Sequence, residues 1–229
     1  NITGTNNAAV ITGAYSANLT ESDKVLNTSG YLIASDVDSS NGFIAQTAVQ
    51  GNNGYGKFSI NELGVWTYTA DSIHSDFAQG ETYSDSITVA TADGTSQLIT
   101  VNIAGTNNAA IITGAHSVEV TQSNLILKAD GILTAVDVDS SNAFVVQKDV
   151  KGDNGYGKFS INAVGAWTYS TDTPHREFIE GNTYFDKINV ATADGTIQTL
   201  VVSMIGTNDA ATISGVVSAN ATESDSIVI

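Results

Sequence analysis

The stretch Lys57-Phe58-Ser59-Ile60-Asn61-Glu62-Leu63-Gly64-Val65-Trp66-Thr67-Tyr68-Thr69 decides the fold. Apolar and polar residues alternate on both sides of Glu62-Leu63-Gly64, the period-2 pattern of strands with one buried face. Phe58 and Ile60 share one face of the first strand. Trp66 and Tyr68 share one face of the second. Gly64 supplies the positive φ that a short hairpin loop needs. The stretch predicts an antiparallel hairpin whose large side chains belong to a core. It occurs twice, because Lys158-Phe159-Ser160-Ile161 leads through Gly165 to Trp167-Thr168-Tyr169.

Working outward, the duplication extends over most of the chain. Gly4-Thr5-Asn6-Asn7 returns as Gly105-Thr106-Asn107-Asn108 and again as Gly206-Thr207-Asn208-Asp209, at an offset of 101 residues. An ungapped alignment of 4–104 on 105–205 gives 57 identities in 101 positions. The organisation expected is one repeat over 1–104 with its N-terminal linker, a second over 105–205, and a linker with the opening strands of a truncated third over 206–229. A period near 100 is the size of an autonomous domain, too long for a solenoid unit. The chain reads as a piece of a longer array, with neighbouring repeats as its first partners.

Further strands are expected at 9–12, 16–20, 31–35 and 43–49. A second hairpin should form from Ser86–Ala90 and Leu98–Ile103 around Asp93-Gly94-Thr95. Only Ile73–Gln79 hints at a helical turn. About seven short strands per hundred residues, with regular turn signals, predict an all-β fold of tandem immunoglobulin-like or cadherin-like β-sandwich domains. A barrel is the alternative.

Composition narrows the function. The chain has 229 residues, 24 acidic against 8 basic side chains, a net charge of −16 and no cysteine. Such a charge repels phosphate backbones and anionic lipid, which argues against nucleic acid and membrane surfaces as partners. No run approaches the ~18 apolar residues of a membrane-inserting helix. Without cysteine there are no disulfides and no thiol chemistry. His74 and His175 match at the repeat offset but have no repeated nucleophile beside them, so no enzyme activity is expected.

The acidic pattern carries more. Asp36-Val37-Asp38-Ser39-Ser40 returns as Asp137-Val138-Asp139-Ser140-Ser141. Two carboxylates at i and i+2 where a strand enters a loop can turn toward one cation. Ca²⁺ takes 6–8 hard oxygen ligands of the kind Asp, Asn and backbone carbonyls supply. A solvated turn is the plain alternative, since Asp is common in turns. An EF-hand fits poorly: Gly42 falls one place late and no Glu stands at the twelfth position.

Five motifs follow one another in fixed order: Ala34-Ser35-Asp36-Val37-Asp38, Tyr55-Gly56-Lys57-Phe58-Ser59, Gly64-Val65-Trp66-Thr67-Tyr68, Ala92-Asp93-Gly94-Thr95 and Gly105-Thr106-Asn107-Asn108. Together they resemble the VCBS repeat of large bacterial surface proteins, including long RTX-type adhesins exported by type I secretion. The resemblance implies a cadherin-like sandwich, display on the bacterial cell surface, and a role in cell adhesion or biofilm formation. That family's linker usually reads Gly-Thr-Asn-Asp-Ala-Pro. Here Asn7 and Asn108 replace the Asp, only Asp209 agrees, and Ala replaces Pro.

Topology then suggests where calcium would bind. If the first strand descends from the linker and the second returns, Thr20-Glu21-Ser22-Asp23 lies at the far end of a repeat. Asp36, Asp38 and Asp93 lie at the near end. The site expected after the first repeat combines Glu21 with Asn107, Asn108, Asp137 and Asp139, assisted by Asp194. Asp23 and Asp209 complete the candidate set. Gln122 and Asn124 stand in the second repeat where the first has Glu21 and Asp23, while Glu223 and Asp225 restore the carboxylates. Calcium is therefore expected to bind more tightly after the first repeat than after the second. The leading reading is a calcium-stiffened extender of a secreted surface adhesin. The alternative is a carbohydrate- or ligand-binding module of a surface protein or secreted hydrolase, with glycans stacking on Tyr15, Tyr55 or Tyr83.

Overall fold

The computed structural model describes residues 1–215, 218 and 220. Glu223, Asp225 and most of the strands expected for a third copy lie outside the described residues. The rest is all-β, with no helix among the described residues.

The first repeat forms β1 (Val10–Gly13), β2 (Ser16–Thr20), β3 (Asn27–Ser35), β4 (Gln46–Gln50), β5 (Gly56–Ile60), β6 (Val65–Ala70), β7 (Thr82–Ala90) and β8 (Ser96–Ala104). They make two sheets, β1-β3-β6-β5-β4 and β2-β8-β7. The second repeat forms β9 (Ile111–Gly114), β10 (Ser117–Thr121), β11 (Lys128–Val136), β12 (Gln147–Lys151), β13 (Gly157–Ile161), β14 (Ala166–Thr171), β15 (Thr183–Ala191) and β16 (Ile197–Ile205). Its sheets are β12-β13-β14-β11-β9 and β10-β16-β15. This is the tandem β-sandwich, not the barrel. The hairpin read first from the sequence is β5–β6, with Phe58 opposite Tyr68 and Ile60 opposite Trp66.

Alternation builds the core. Phe58, Ile60, Trp66 and Tyr68 are buried, and Leu32, Val89, Val101 and Ile103 meet them from the other strands. The indole N–H of Trp66 donates to the Ala14 carbonyl (2.7 Å), and Trp167 repeats this with Ala115 (2.7 Å). The ring lies so close to β3 that a Cβ on Gly30 would meet it at 2.4 Å, so only glycine fits there.

The chain divides into two compact units. One comprises Asn1–Thr113, Thr134–Val145 and Ala191–Ile197; the other comprises Gly114–Leu133, Val146–Val190 and Gln198–Ile229. The segments carrying Asp137, Asp139 and Asp194 thus group with the first repeat and the 105–110 linker.

Two local expectations change. Ile73–Gln79 forms turns and no helix, with His74 at φ 52°. Its imidazole stacks on Phe77 (4.6 Å between ring centres), which stacks on Tyr83 (3.8 Å), while Tyr55 meets them edge-on. Tyr55 and Tyr83 are therefore structural rings and not exposed sugar platforms; of the three tyrosines only Tyr15 is exposed. The second repeat rebuilds the cluster with Tyr156, His175, Phe178 and Tyr184. There both imidazole nitrogens face acceptors, the Tyr156 carbonyl (2.9 Å) and Glu177 (2.6 Å).

Candidate functional site

The linker after the first repeat is tied down residue by residue. Thr106 donates through its N–H (2.8 Å) and its hydroxyl (3.0 Å) to Glu21 Oε2. Glu21 is only 5% exposed, so a charge is held at the end of β2 by two donors from the linker. The Asn107 amide reaches Asp194 Oδ2 (3.5 Å), and the Asn108 N–H donates to Asp139 Oδ2 (3.0 Å). The Asn108 side chain turns the other way and donates to the Ser75 carbonyl (3.0 Å).

Asp137 and Asp139 follow directly from the end of β11. Asp137 Oδ1 accepts the N–H groups of Asp139 (3.0 Å) and Ser140 (2.7 Å), a side-chain turn that folds the loop back on itself. Its other oxygen, Oδ2, is buried and has no hydrogen-bond partner. Asp139 Oδ1 is buried and unpartnered in the same way. Burial, with Asp137 close by, pushes the Asp139 carboxyl above the usual carboxylate range, against the opposing pull of the Asn108 N–H. A cavity of about 310 Å³ lies here, lined by Ala78, Gln79, Asn107, Asp139, Ser140 and Asp194.

Asp194 differs in character. It accepts from the hydroxyls of Thr192 and Thr196, from the Thr196 N–H (3.1 Å) and from the Ala110 N–H (3.1 Å). Burial disfavours its charge, yet these donors prevail and hold it well below the usual carboxylate range. Asp93 has the same partners in Thr91, Thr95 and the Ala9 N–H (3.1 Å), and is lowered chiefly by the Thr91 hydroxyl. Both aspartates are pegs on which a linker hangs.

The remaining candidates fall into separate places. Asp36 and Asp38 repeat the Asp137–Asp139 loop in the first repeat. Asp36 Oδ2 is buried and unpartnered, and Asp38 accepts the Asn7 N–H (3.1 Å). Asp23 is exposed. Asp209 accepts from the Gln122 amide (2.9 Å), while Gln122 Oε1 accepts the Thr207 N–H (2.9 Å). Gln122 thus reproduces the hold of Glu21 on the linker threonine, and its amide N–H faces the one linker carboxylate. Among the described residues, no three of His, Cys, Asp and Glu come together to hold a metal. Any ion here would depend on two carboxylates with amide, hydroxyl or backbone oxygens.

One charged group escaped the sequence reading. Asp85 is fully buried and accepts the N–H groups of Asn53 (3.0 Å), Tyr55 (3.1 Å), Gly56 (3.0 Å) and Ser86 (3.0 Å). Asp186 does the same work in the second repeat, taking also the Tyr169 hydroxyl (3.1 Å). Burial and the neighbouring carboxylate push the Tyr68 and Tyr169 phenols far above their ordinary value. A signal was present: Asp85 stands in phase with Ile87 and Val89 on β7, on the inward face.

No family model matches the chain, and no curated protein matches it. Solved structures similar in fold include the human desmocollin-1 ectodomain, at 15% identity over 89% of this chain and 42% of that one, with a TM-score of 0.41. Drosophila N-cadherin EC1-4 is similar at 16% identity over 89% of this chain and 50% of that one, TM-score 0.45. Mouse cadherin-23 EC22-24 is similar at 14% identity over 88% and 67%, TM-score 0.43. The chain spans half or less of the first two. The likeness is one of fold.

Proposed function

We propose that the chain is a calcium-stiffened extender of a bacterial extracellular surface adhesin, serving cell adhesion or biofilm formation by spacing and not by catalysis. Its repeats are 1–104, 105–205 and the opening of a third from 206. One observation carries the reading: Asp137 Oδ2 and Asp139 Oδ1 are buried without partners beside the 105–110 linker. Native proteins rarely leave such acceptors bare, because each costs about 1–3 kcal/mol. A hard divalent cation satisfies both and relieves their mutual repulsion. Asp137 and Asp139 would hold the ion, with Asn107 and Asp194 lining the cavity beside Asp139. Glu21 serves by fixing Thr106. Asp36 and Asp38 would form the corresponding site in the first repeat.

The chemistry suits the outside of a cell. A site with two carboxylates and neutral oxygens falls in the weak range, Kd ~10⁻⁴–10⁻³ M, of extracellular calcium modules. It would fill in millimolar calcium and stay empty in a cytosol. The Gln122 amide at the second linker opposes a cation there, so calcium should favour the first linker over the second. Small-angle scattering of the chain in chelator and in millimolar calcium tests the reading. A longer, narrower distance distribution with calcium is expected, and unchanged dimensions would refute the stiffening.

A further inference from the structure

The outer face of the larger sheet differs between the repeats. Six of the eight basic residues lie in 105–205. Three of them fall in one cross-strand row: Lys151 pairs with Lys158, Lys158 with Ser170, and Ser170 with Lys128. Directly opposed residues of an antiparallel sheet share a face, and like charges so placed destabilise it. The first repeat has Gln50, Lys57, Thr69 and Asn27 in the same row, with a single charge. Lys158 pairs with Asp172 at 3.4 Å, and no ion pair among the described residues takes up Lys128 or Lys151.

The adjoining row has the opposite character. Asp130 pairs with Thr168 and Thr168 with Ser160. Beyond them Asp149 sits in the β12 bulge at φ 52°, its N–H donating to Ser160 Oγ (2.9 Å). The first repeat has Ser29, Thr67, Ser59 and Ala48 here, without charge. A cavity of about 460 Å³ lies over both rows, bounded by Lys128, Lys158, Asp149 and Asp172 with hydroxyls between them. Lys128 and Lys158 thus line one pocket of ligand-binding size with Asp149 and the hydroxyls of Ser160 and Thr168, and Lys151 and Asp130 adjoin it in the same two rows.

We propose that this face of the second repeat binds an acidic polysaccharide, a glycan bearing uronic-acid residues. Lys128, Lys151 and Lys158 receive the sugar carboxylates. Asp130 and Asp149 accept from the sugar hydroxyls, with Ser160 and Thr168 between them. A neutral glycan leaves the lysines without counter-charge. Single-stranded nucleic acid needs aromatic stacking platforms, and the rings of β14, Trp167 and Tyr169, point into the core. The site does not depend on the calcium reading.

Titration of the whole chain with a short oligogalacturonate, in chelator so that calcium bridges neither partner, tests the proposal. Saturable binding is expected. It should weaken about tenfold, equivalent to about 1.4 kcal/mol, with the methyl-esterified oligomer. The same loss is expected for the chain carrying Lys128→Asn and Lys151→Gln, the residues of the first repeat, at a melting temperature no lower than the parent's. Poly-glutamate and single-stranded DNA should bind more weakly than the oligogalacturonate. Absence of binding, equal binding of the esterified oligomer, equal binding of either control polyanion, or full affinity in the double variant would each overturn it.

Discussion

Asp139→Asn should stabilise the chain in chelator and lose most of the gain that calcium gives the parent. In chelator, Asp139 Oδ1 and Asp137 Oδ2 are orphaned acceptors. The low end of the usual cost, about 1 kcal/mol each, applies because both residues are partly exposed. An amide at position 139 keeps one oxygen for the Asn108 N–H, now at 3.0 Å, and replaces the orphaned oxygen by a donor beside Asp137. One charge leaves a crowded pair at the same time. The gain is about 1–2 kcal/mol, or roughly 4–16 °C for a domain of this size. With calcium at about 100 times its dissociation constant, the parent gains ~2.7 kcal/mol, roughly 10–20 °C. The variant should gain less than about a third of that, because one of the two anchoring charges is gone. Thermal unfolding followed by far-ultraviolet dichroism, across a calcium series from chelator upward, gives both numbers from one protein pair. A variant that melts below the parent in chelator, or that shows the parent's full calcium shift, refutes the reasoning.

Asp186→Asn turns one acceptor of a buried cluster into a donor facing backbone N–H groups, and should cost about 3 kcal/mol in chemical denaturation; a loss under about 1 kcal/mol would show that the carboxylate does not organise the 152–157 loop. Gln122→Glu sets a carboxylate against Asp209 and should lower the melting temperature in chelator while calcium restores it; a variant indifferent to calcium would remove the amide from the argument about the second linker. Asp93 is lowered in the folded state, so the stability it gives is present above the unfolded carboxylate value near 4. That stability is lost as pH falls toward the folded value. Asp93→Asn should therefore flatten the stability profile below about pH 4, and a profile parallel to the parent's would contradict the hydrogen-bond pattern at Thr91 and Thr95.

Much of the fold was written in local periodicity. The 57–69 hairpin, the duplication and the Asp93 and Asp194 turns needed only alternation and turn chemistry. The near-end placement of Asp137 and Asp139 followed from counting strand directions. What failed depended on contacts from distant sequence. Tyr55 and Tyr83 read as exposed because their partners, His74 and Phe77, come from a segment without periodicity. Asp85 went unread, although its phase on β7 pointed inward. The lysine row is invisible along the chain, because Lys128, Lys151 and Lys158 become neighbours only through register.

The exchange of charge between Glu21 and Asn108 at one linker and Gln122 and Asp209 at the next has a genetic consequence. Repeats with 57 of 101 residues in common invite recombination between their coding sequences. A crossover between the codons for positions 22 and 107 and their counterparts one period later deletes one repeat and joins Glu21 to Asp209. Two carboxylates then meet where an amide met a carboxylate, at the end of a strand where Glu21 is only 5% exposed. The shortened array inherits a joint in which two carboxylates repel each other. The paired difference between the linkers thus makes the loss of one repeat costly to the joint that remains.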